Sequence, residues 1–419
     1  MTEKKVMNRN LVVLGAIIIQ LCLGAIYAWS VFTKPLVEAG WTKTETQAVF
    51  AAGLALFAIV MVIAGRLMPK LGPKKLAMSG GIVLGLGYLL AGLFGGTNFW
   101  LIFIFIGIIG GSGIGLAYVV PIAVGMRWFP DKKGLITGLA VAGFGFGATL
   151  WVKLAGTWGN LIENVGLSTT FTIYGIVFFI AVFIGGIWMV FPPEGWKPKG
   201  WNPIVDTKKK NVESSIQMNS SQMLKTPQYY MILLTFAFGA SAGLMSIGLM
   251  KLFPMEALTA AGIDKTVASG IAGTAMAVFF SLANGIGRIA WGAISDKLGR
   301  KQSIVIMMLT QGIFVICFQW IAGTPGLLYL GAALIGFNFG GNFALFPTIT
   351  ADTFGTKYIG QNYGWVFLAY GIGGIFGPIM GGKLGDLNNF SLAFTICGIL
   401  CLLAGGIILG VKAPKLKAV

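Results

Sequence analysis

Apolar residues fill long stretches of this chain, and short polar segments separate the stretches. A helix needs about 20 mostly apolar residues to cross the hydrocarbon core of a bilayer, and the stretches are close to that length. The pattern therefore predicts an all-α membrane protein with twelve transmembrane helices. The predicted spans are residues 11–32, 47–67, 76–95, 99–126, 134–156, 167–191, 228–252, 267–294, 302–323, 326–350, 359–383 and 389–411.

The longest polar stretch lies between the sixth and seventh spans. It contains the lysine run Lys208–Lys210 together with several serine and asparagine residues, a composition typical of a flexible connection. We therefore predict an N-terminal six-helix half over residues 1–191, a cytoplasmic linker over 192–227 and a C-terminal six-helix half over 228–419.

The two halves contain similar segments at corresponding positions. Gly65–Gly72, after span two, resembles Gly292–Gly299, after span eight, at an offset of 227 residues. Pro121 in span four matches Pro347 in span ten at an offset of 226. Duplication of a six-helix unit predicts two pseudo-symmetric halves with a central cavity between them and a substrate near the bilayer midplane.

Composition and charge agree with a membrane protein. Charged residues make up 10% of the chain, against about 25% in soluble domains. The net charge of +17 is not typical of a nucleic-acid-binding surface, because 23 of the 30 Lys and Arg residues lie in the termini and in one alternate set of loops. This positive-inside distribution predicts that both termini are cytoplasmic and that the protein lies in the cell (inner) membrane.

Metal and cofactor chemistry is not predicted. The four cysteines all lie within apolar runs, and the chain contains no histidine, so a metal-binding cluster has few possible ligands. Enzymatic catalysis is also disfavoured, because no histidine and no acidic residue within a predicted span could act as a general base.

One cation lies well inside a predicted span. Arg288 precedes Asp296 by eight residues, which places it about 12 Å along a helix from the polar loop. A charge at the bilayer centre costs at least about 2.5–3.5 kcal/mol, so Arg288 requires a compensating group. A transported carboxylate could accept two parallel N–H bonds from the guanidinium. A structural arginine held by backbone carbonyls is the alternative. Asn284, four residues earlier on the same helix face, could orient the guanidinium.

The segment from Gly292 to Lys301 resembles the loop motif of the major facilitator superfamily. Its residues at the characteristic spacing are Gly292, Asp296, Lys297, Gly299, Arg300 and Lys301. The resemblance implies a gating role, with both glycines permitting a tight turn and Asp296 meeting the positive end of a neighbouring helix. Pro69 occupies the acidic position in the first copy, which implies a weaker or different charge contact there.

A narrower resemblance covers nearly the whole chain. The segments Arg127–Lys132, Met223–Tyr229, Ala344–Pro347 and Asp352–Gly355 resemble the oxalate/formate antiporter branch, which is similar in fold to the monocarboxylate (lactate) porters. Both groups place an arginine in span eight facing the cavity, and Arg288 occupies that position here.

The resemblance also bears on the charge of the substrate. The oxalate-type relatives carry a lysine in span eleven where this chain has Tyr370, and polar aromatic residues of that branch are replaced by Phe343 and Phe367. A site with one cation is suited to a single carboxylate with a short, partly apolar tail. In the animal monocarboxylate porters an acidic residue stands at the position of Asn284. The resemblance therefore does not imply that this chain couples transport to protons in the same way.

Other polar or aromatic positions of spans one, four, ten and eleven are candidates to line the cavity, with helix packing as the alternative. These candidates are Tyr27, Trp29, Tyr118, Asn338, Phe339, Asn342, Phe343, Phe367 and Tyr370.

We therefore expect a monomeric secondary active transporter of small monocarboxylates, of the L-lactate or pyruvate type, that works by alternating access. The expected partners are a small organic anion, a proton and the lipid bilayer, with no nucleic acid. An anion exchanger of the oxalate/formate kind is the alternative within transport. A transporter-like membrane receptor or a channel is the alternative from another class.

Overall fold

The computed structural model describes residues 7–155, 158–198, 217–250, 252–387 and 389–412. Twelve of its helices are long and apolar enough to cross a membrane, which confirms the predicted all-α architecture. In chain order they are α1 (Arg9–Trp29), α2 (Lys43–Leu71), α3 (Pro73–Gly95), α4 (Phe99–Trp128), α5 (Lys133–Ala155), α6 (Leu161–Ile187), α7 (Pro227–Leu249), α8 (Lys265–Leu298), α9 (Arg300–Ile321), α10 (Pro325–Phe354), α11 (Ile359–Asp386) and α12 (Phe390–Leu409).

Helix starts follow the local sequence. Pro227 opens α7 directly after Thr226, where the missing N–H of proline causes no loss. Asp264 precedes α8 and accepts hydrogen bonds from the backbone N–H groups of Thr266 and Val267, at 2.9 and 3.2 Å. Such caps satisfy donors that would otherwise lack partners at the first turn of a helix.

Four of the long helices contain segments that depart from α-helical geometry. In α1 the last six residues, Gly24–Trp29, form a 3-10 helix. Segments of π-helix occupy Ala91–Gly95 in α3, Phe103–Gly110 in α4 and Ala275–Phe280 in α8. The last of these comes directly before the turn that carries Asn284 and Arg288, and such segments often occur near functional residues.

The chain forms two compact units. The first unit contains Met1–Asn211 and Tyr358–Trp365, and the second contains Val212–Lys357 and Val366–Val419. Within the first unit α2 packs on α4, α3 packs on α4 and α6, and α1 packs on α6. Within the second unit α8 packs on α10, α9 packs on α10 and α12, and α7 packs on α12. The same helix pairs therefore recur, as expected for a duplicated six-helix unit.

The linker predicted over residues 192–227 lies partly outside the described residues, which omit 199–216. The lysine run Lys208–Lys210 falls in that part. The described end of the linker contains a short helix, Ser220–Met223, which begins with a capping box between Asn219 and Gln222.

The two repeated motif segments are helical, which corrects their prediction as loops. Helix α2 continues to Leu71 and helix α8 continues to Leu298, each beyond its predicted span. Only the final glycine of each segment leaves the helix, with φ of 78° at Gly72 and 92° at Gly299. Glycine adopts a positive φ without steric strain because it has no β-carbon, so one residue suffices to reverse the chain and start the next helix. Gly292 is helical and does not contribute to the turn.

The longer helices also change where the acidic residues lie. The sequence placed no acid within a span, whereas five acids belong to the long helices, namely Glu45, Glu163, Asp296, Asp352 and Asp386. All five lie in the first or last turns of their helices, so the apolar middle of each helix agrees with the prediction.

Glycines bring α8 and α10 into direct backbone contact. A β-carbon placed on Gly287 of α8 would overlap the carbonyl oxygen of Phe337 in α10. A β-carbon on Gly340 of α10 would overlap the carbonyl oxygen of Asn284 in α8. Small residues permit this close approach, and it fixes the position of Arg288 relative to α10.

We predict that Gly287→Ala destabilises the protein, because the added methyl group must push the two backbones apart. Overpacking of this kind costs about 1–3 kcal/mol. The measurement is the thermal unfolding midpoint of the purified protein in detergent. Gly273→Ala is the matched control, since it lies in the same helix and a β-carbon there would meet no atom within 4 Å. Equal midpoints for the two variants would contradict the role of the backbone contact.

Candidate substrate-binding site

Arg288 is completely buried in the second unit, with 0% of its surface exposed. It is the only buried Lys or Arg among the side chains that the structure describes. Helix α8 places it about three turns from Gly299, and the contact between Gly340 and the Asn284 carbonyl brings α10 alongside it. The interior cation expected from the sequence is therefore present.

Two neighbours fix the guanidinium of Arg288. Its Nε donates a hydrogen bond to Oδ1 of Asn284 at 2.9 Å, one helical turn away. Its Cζ lies 4.1 Å from the centroid of the Phe343 ring, a cation–π contact across from α10. Such contacts contribute about 2 kcal/mol when desolvated. Because Nε is bound to Asn284, an anion would be held through the terminal nitrogens.

An aromatic cluster lies beside this guanidinium within the second unit. Phe343 contacts Tyr370 with ring centroids 5.6 Å apart, and Tyr370 stacks on Phe367 at 5.0 Å. Phe339 contacts Phe343 at 5.3 Å. The four predicted aromatic candidates of this half therefore form one cluster beside Arg288. All four are buried, and apart from the hydroxyl of Tyr370 the cluster presents only hydrocarbon surface.

Phe236 also belongs to this cluster, although no signal in the sequence selected it. Its ring lies 6.3 Å from that of Phe343 and 6.0 Å from that of Phe367. It comes from the middle of α7, where a phenylalanine in an apolar run carries no sign of the helix face it occupies.

Asn338 lies in a hydrogen-bond chain that joins three helices. Trp291 Nε1 of α8 donates to Asn338 Oδ1 at 3.1 Å, and Asn338 Nδ2 donates to Thr310 Oγ1 of α9 at 2.9 Å. These bonds join α8, α9 and α10 through Asn338, and its cavity-lining role stays a prediction.

Two more of the candidates make local hydrogen bonds. Trp29 Nε1 donates to the carbonyl of Thr46 at 2.8 Å. Asn342 Nδ2 donates to the carbonyl of Phe339, one turn earlier in α10, at 3.0 Å.

The first unit gathers its own aromatic cluster around Phe144 of α5. The rings of Tyr27 and Tyr118 lie 5.0 and 5.5 Å from that of Phe144, and Phe57 lies 4.9 Å from Tyr118. Gln20 of α1 donates from Nε2 to the carbonyl oxygen of Tyr118 at 3.2 Å. The predicted candidates Tyr27 and Tyr118 are thus brought together through Phe144. Gln20 was not predicted, although a glutamine inside an otherwise apolar span was a usable signal.

The proposed gating motif is organised by Arg300. Its Nη2 lies 2.6 Å from Oδ1 of Asp296, and its Nε lies 3.1 Å from Oδ2 of Asp352 in α10. Its Nη1 donates to the hydroxyl of Ser295 at 2.5 Å. Asp296 therefore pairs with a side chain at the start of α9, and one guanidinium links the ends of three helices. Lys297 is exposed in the last turn of α8.

Comparison with known families decides the class of this protein. A profile of the Major Facilitator Superfamily matches residues 12–279 and 244–419. The chain belongs to the Major Facilitator Superfamily. It is an integral membrane protein and a secondary transporter, and it is not an enzyme.

Several relatives cover most of this major facilitator protein. It is 30% identical over 370 residues to an uncharacterized MFS-type transporter, YhjX, of Escherichia coli strain K12, covering 88% of this chain and 86% of the relative. It is 26% identical to the oxalate:formate antiporter of Oxalobacter formigenes, covering 94% and 88% of the two chains. It is 23% identical to the apicoplast pyruvate carrier 1 of Toxoplasma gondii, covering 85% and 80%.

Solved structures support the fold. The fucose:proton symporter FucP of E. coli superposes with a TM-score of 0.69 at 13% identity, covering 96% of this chain and 98% of FucP. The proton:xylose symporter XylE gives a TM-score of 0.65 at 14% identity, covering 96% and 95%. The two-half helical architecture is therefore that of a major facilitator protein.

We predict that Asp296→Asn lowers the thermal unfolding midpoint in detergent, because the variant loses the ionic partner of Arg300. Hydrogen bonds to charged groups contribute about 1.5–3 kcal/mol. Pro69→Ala is the matched control at the equivalent position of the repeat and should not lower the midpoint. The double variant with Arg300→Gln should lose less than the sum of the single losses. Additive losses would contradict a direct pairing.

Proposed function

We propose that this protein transports small monocarboxylates, of the L-lactate or pyruvate type, together with a proton by alternating access. The observation that carries the proposal is the buried guanidinium of Arg288, fixed by Asn284 and Phe343 within an aromatic cluster. Guanidinium groups bind carboxylates through two parallel N–H bonds, and aromatic walls suit a short apolar tail.

The charge of the site supports an anionic substrate. Asn284 is a neutral amide and Phe343 is a hydrocarbon ring, so neither supplies negative charge to Arg288. The buried residues of the described part include no Asp or Glu. A carboxylate from the solute would offset the desolvation cost of the cation while it is bound.

The substrate most compatible with this cluster carries one carboxylate. Arg288 supplies one positive charge, and Tyr370 stands where the oxalate-type pattern has a lysine. A dicarboxylate would place a second negative charge against Phe343, Phe367 and Tyr370, which provide no cation to balance it. The pyruvate carrier among the relatives supports a small monocarboxylate.

Anion exchange is the second candidate, favoured by the 26% identity to an oxalate:formate antiporter. In that case the bare anion would move in each direction without a proton. Asn284 favours this candidate, because it stands where the proton-linked animal porters have an acid.

The placement in the cell is part of the proposal. The positive-inside distribution supports both termini in the cytoplasm and a location in the inner membrane.

We propose a monomer whose six-helix halves, residues 1–191 and 228–419, are joined by the linker over 192–227. Tyr27 and Tyr118 are proposed substrate-binding residues of the first half.

Arg288→Lys should abolish most monocarboxylate uptake even though the charge is retained. An ammonium group lacks the planar pair of donors, and it cannot make both the Asn284 bond and the stacking contact with Phe343 in the same geometry. The measurement is uptake of radiolabelled lactate by proteoliposomes containing the purified protein.

Arg9→Lys provides the matched control for this change. Arg9 is a partly exposed arginine that pairs with Asp131 at 3.3 Å and stacks on Phe129 at 4.4 Å. Uptake by this variant should stay within about twofold of the wild type, since partly exposed ion pairs contribute about 0–1 kcal/mol. Wild-type uptake by Arg288→Lys would place the anion site elsewhere.

Proton coupling predicts how uptake responds to its driving forces. Symport of one proton with each monoanion is electroneutral, so an inward acid gradient should accelerate lactate uptake and a membrane potential alone should have no effect. Uptake is measured in proteoliposomes under each condition separately. Uptake driven by an inside-positive potential and indifferent to the pH gradient would favour transport of the bare anion instead.

A further inference from the structure

Phe236 is a bulky residue on a face of α7 that carries glycine at each of the next two turns. Gly239 and Gly243 follow it at spacings of three and seven residues, so the three positions share one face of the helix. A β-carbon on Gly243 would overlap the ring of Phe339, and one on Gly239 would lie 2.9 Å from Oδ1 of Asn342. This face of α7 therefore packs closely on α10, and Phe236 adds a full ring to it.

The ring of Phe236 packs against one ring of α10 and one of α11. Its centroid lies 6.3 Å from that of Phe343 and 6.0 Å from that of Phe367. The rings of Phe343 and Phe367 are 6.5 Å apart, so all three are in mutual contact. Phe346 of α10 stacks on Phe236 at 4.4 Å with an interplanar angle of 8°. Because three rings pack against it and 0% of its surface is exposed, Phe236 cannot turn aside without displacing its neighbours.

The backbone of α7 is held against α11 at the level of this cluster. A β-carbon on Gly373 of α11 would lie 2.8 Å from the carbonyl oxygen of Ala237. Ala237 directly follows Phe236, and Gly373 lies about one turn after Tyr370. Small residues permit this backbone contact, and a side chain mounted on packed helices keeps its position. Phe236 is therefore a fixed wall of the cluster.

This wall is within reach of a short acid bound by Arg288. Cζ of Arg288 lies 4.1 Å from the Phe343 centroid, and the Phe236 centroid lies 6.3 Å from the same point. Cζ and the Phe236 centroid are therefore no more than 10.4 Å apart. Hydrogen bonds of about 2.8 Å to a carboxylate use part of this separation. Contact with the ring at about 3.5–4.0 Å uses another part, so only a few carbon atoms fit between them.

We propose that Phe236 sets the upper limit on the length of the transported acid, which restricts the site to acids of about three or four carbon atoms. This inference rests on the proposed function and deepens it, and every residue that carries it belongs to the second unit. Arg288 binds the carboxylate, and Phe236 stops the tail. A longer tail would have to displace a packed ring, and overpacking of a filled apolar site is unfavourable.

An apolar site without such a wall would show the opposite trend. Each additional buried methylene group strengthens binding about fourfold. Longer acids of one series would then bind better than shorter ones. The direction of the trend along a series of acids therefore distinguishes a limiting wall from a merely apolar surface.

The test uses lactate and its longer homologues 2-hydroxybutanoate, 2-hydroxypentanoate and 2-hydroxyhexanoate, which differ only in the length of the tail. Proteoliposomes containing the full-length protein are loaded with unlabelled lactate and exchange it for external radiolabelled lactate. Each homologue is added outside as an inhibitor near neutral pH, with no imposed gradient. For the wild type, half-inhibition by 2-hydroxypentanoate should require a concentration about tenfold higher than by lactate, because the two extra carbon atoms overpack the site.

Phe236→Leu should remove this limit. The smaller side chain leaves room for the tail, so half-inhibition by 2-hydroxypentanoate should come within about twofold of that by lactate. If this variant is not recovered folded, Phe236→Met is measured in its place, since an unbranched thioether chain adapts to its surroundings. The expected direction is the same.

Phe318→Leu is the matched control. Phe318 of α9 is also 0% exposed and lies in another aromatic group of the same unit, with ring centroids 5.3 Å from Phe394 and 6.2 Å from Phe253. The same atoms are removed there, and the inhibition profile should remain that of the wild type.

The possible outcomes separate the inference from the proposed function. If the longer homologues inhibit the wild type as well as lactate or better, the inference is wrong and monocarboxylate transport stands; this comparison needs no variant to fold. A limit that persists in Phe236→Leu would place it at another residue, and an equal change in Phe318→Leu would attribute it to general loosening of the unit. Either result overturns the inference. If the wild type does not exchange lactate, both the proposed function and the inference fail.

Discussion

The chemistry of this protein depends on keeping one positive charge in an apolar interior. Arg288 is held by a hydrogen bond from Nε to Asn284 and by the face of Phe343. Both contacts restrict the guanidinium to one orientation, and neither cancels its charge. In the proposed function this restriction favours carboxylate binding, because little side-chain freedom of Arg288 remains to be lost on binding.

The backbone contact between α8 and α10 makes that arrangement possible. Gly287 and Gly340 remove side chains where the two helices cross, so Phe343 of α10 can reach across to Arg288 of α8. The chain from Trp291 through Asn338 to Thr310 adds α9 to the same assembly. At the other end of these helices Arg300 joins Asp296 and Asp352. Packing, neutral hydrogen bonds and ion pairs therefore hold the same three helices at different depths.

The two units have related architectures and different chemistry. Each carries an aromatic cluster, around Phe144 in one and Phe343 in the other. The cluster of the first unit contains a neutral amide, Gln20, whereas that of the second contains a cation, Arg288. Duplication thus supplies the repeated helix pairs, and a few substitutions within the repeats give each aromatic cluster a different polar neighbour.

The sequence by itself determined the twelve spans, the repeat and the interior cation, because apolar length and an isolated charge are local properties. The helix ends were harder to predict from the sequence. The motif segments are helical up to Gly72 and Gly299, since polar residues can extend a membrane helix beyond its apolar core. Only the tertiary structure decided which face each aromatic ring occupies. It joined Asn338 to α8 and α9, added Phe236 to the cluster and left Oε1 of Gln20 without a hydrogen-bond partner among the described residues, because these properties depend on neighbours that are distant along the chain.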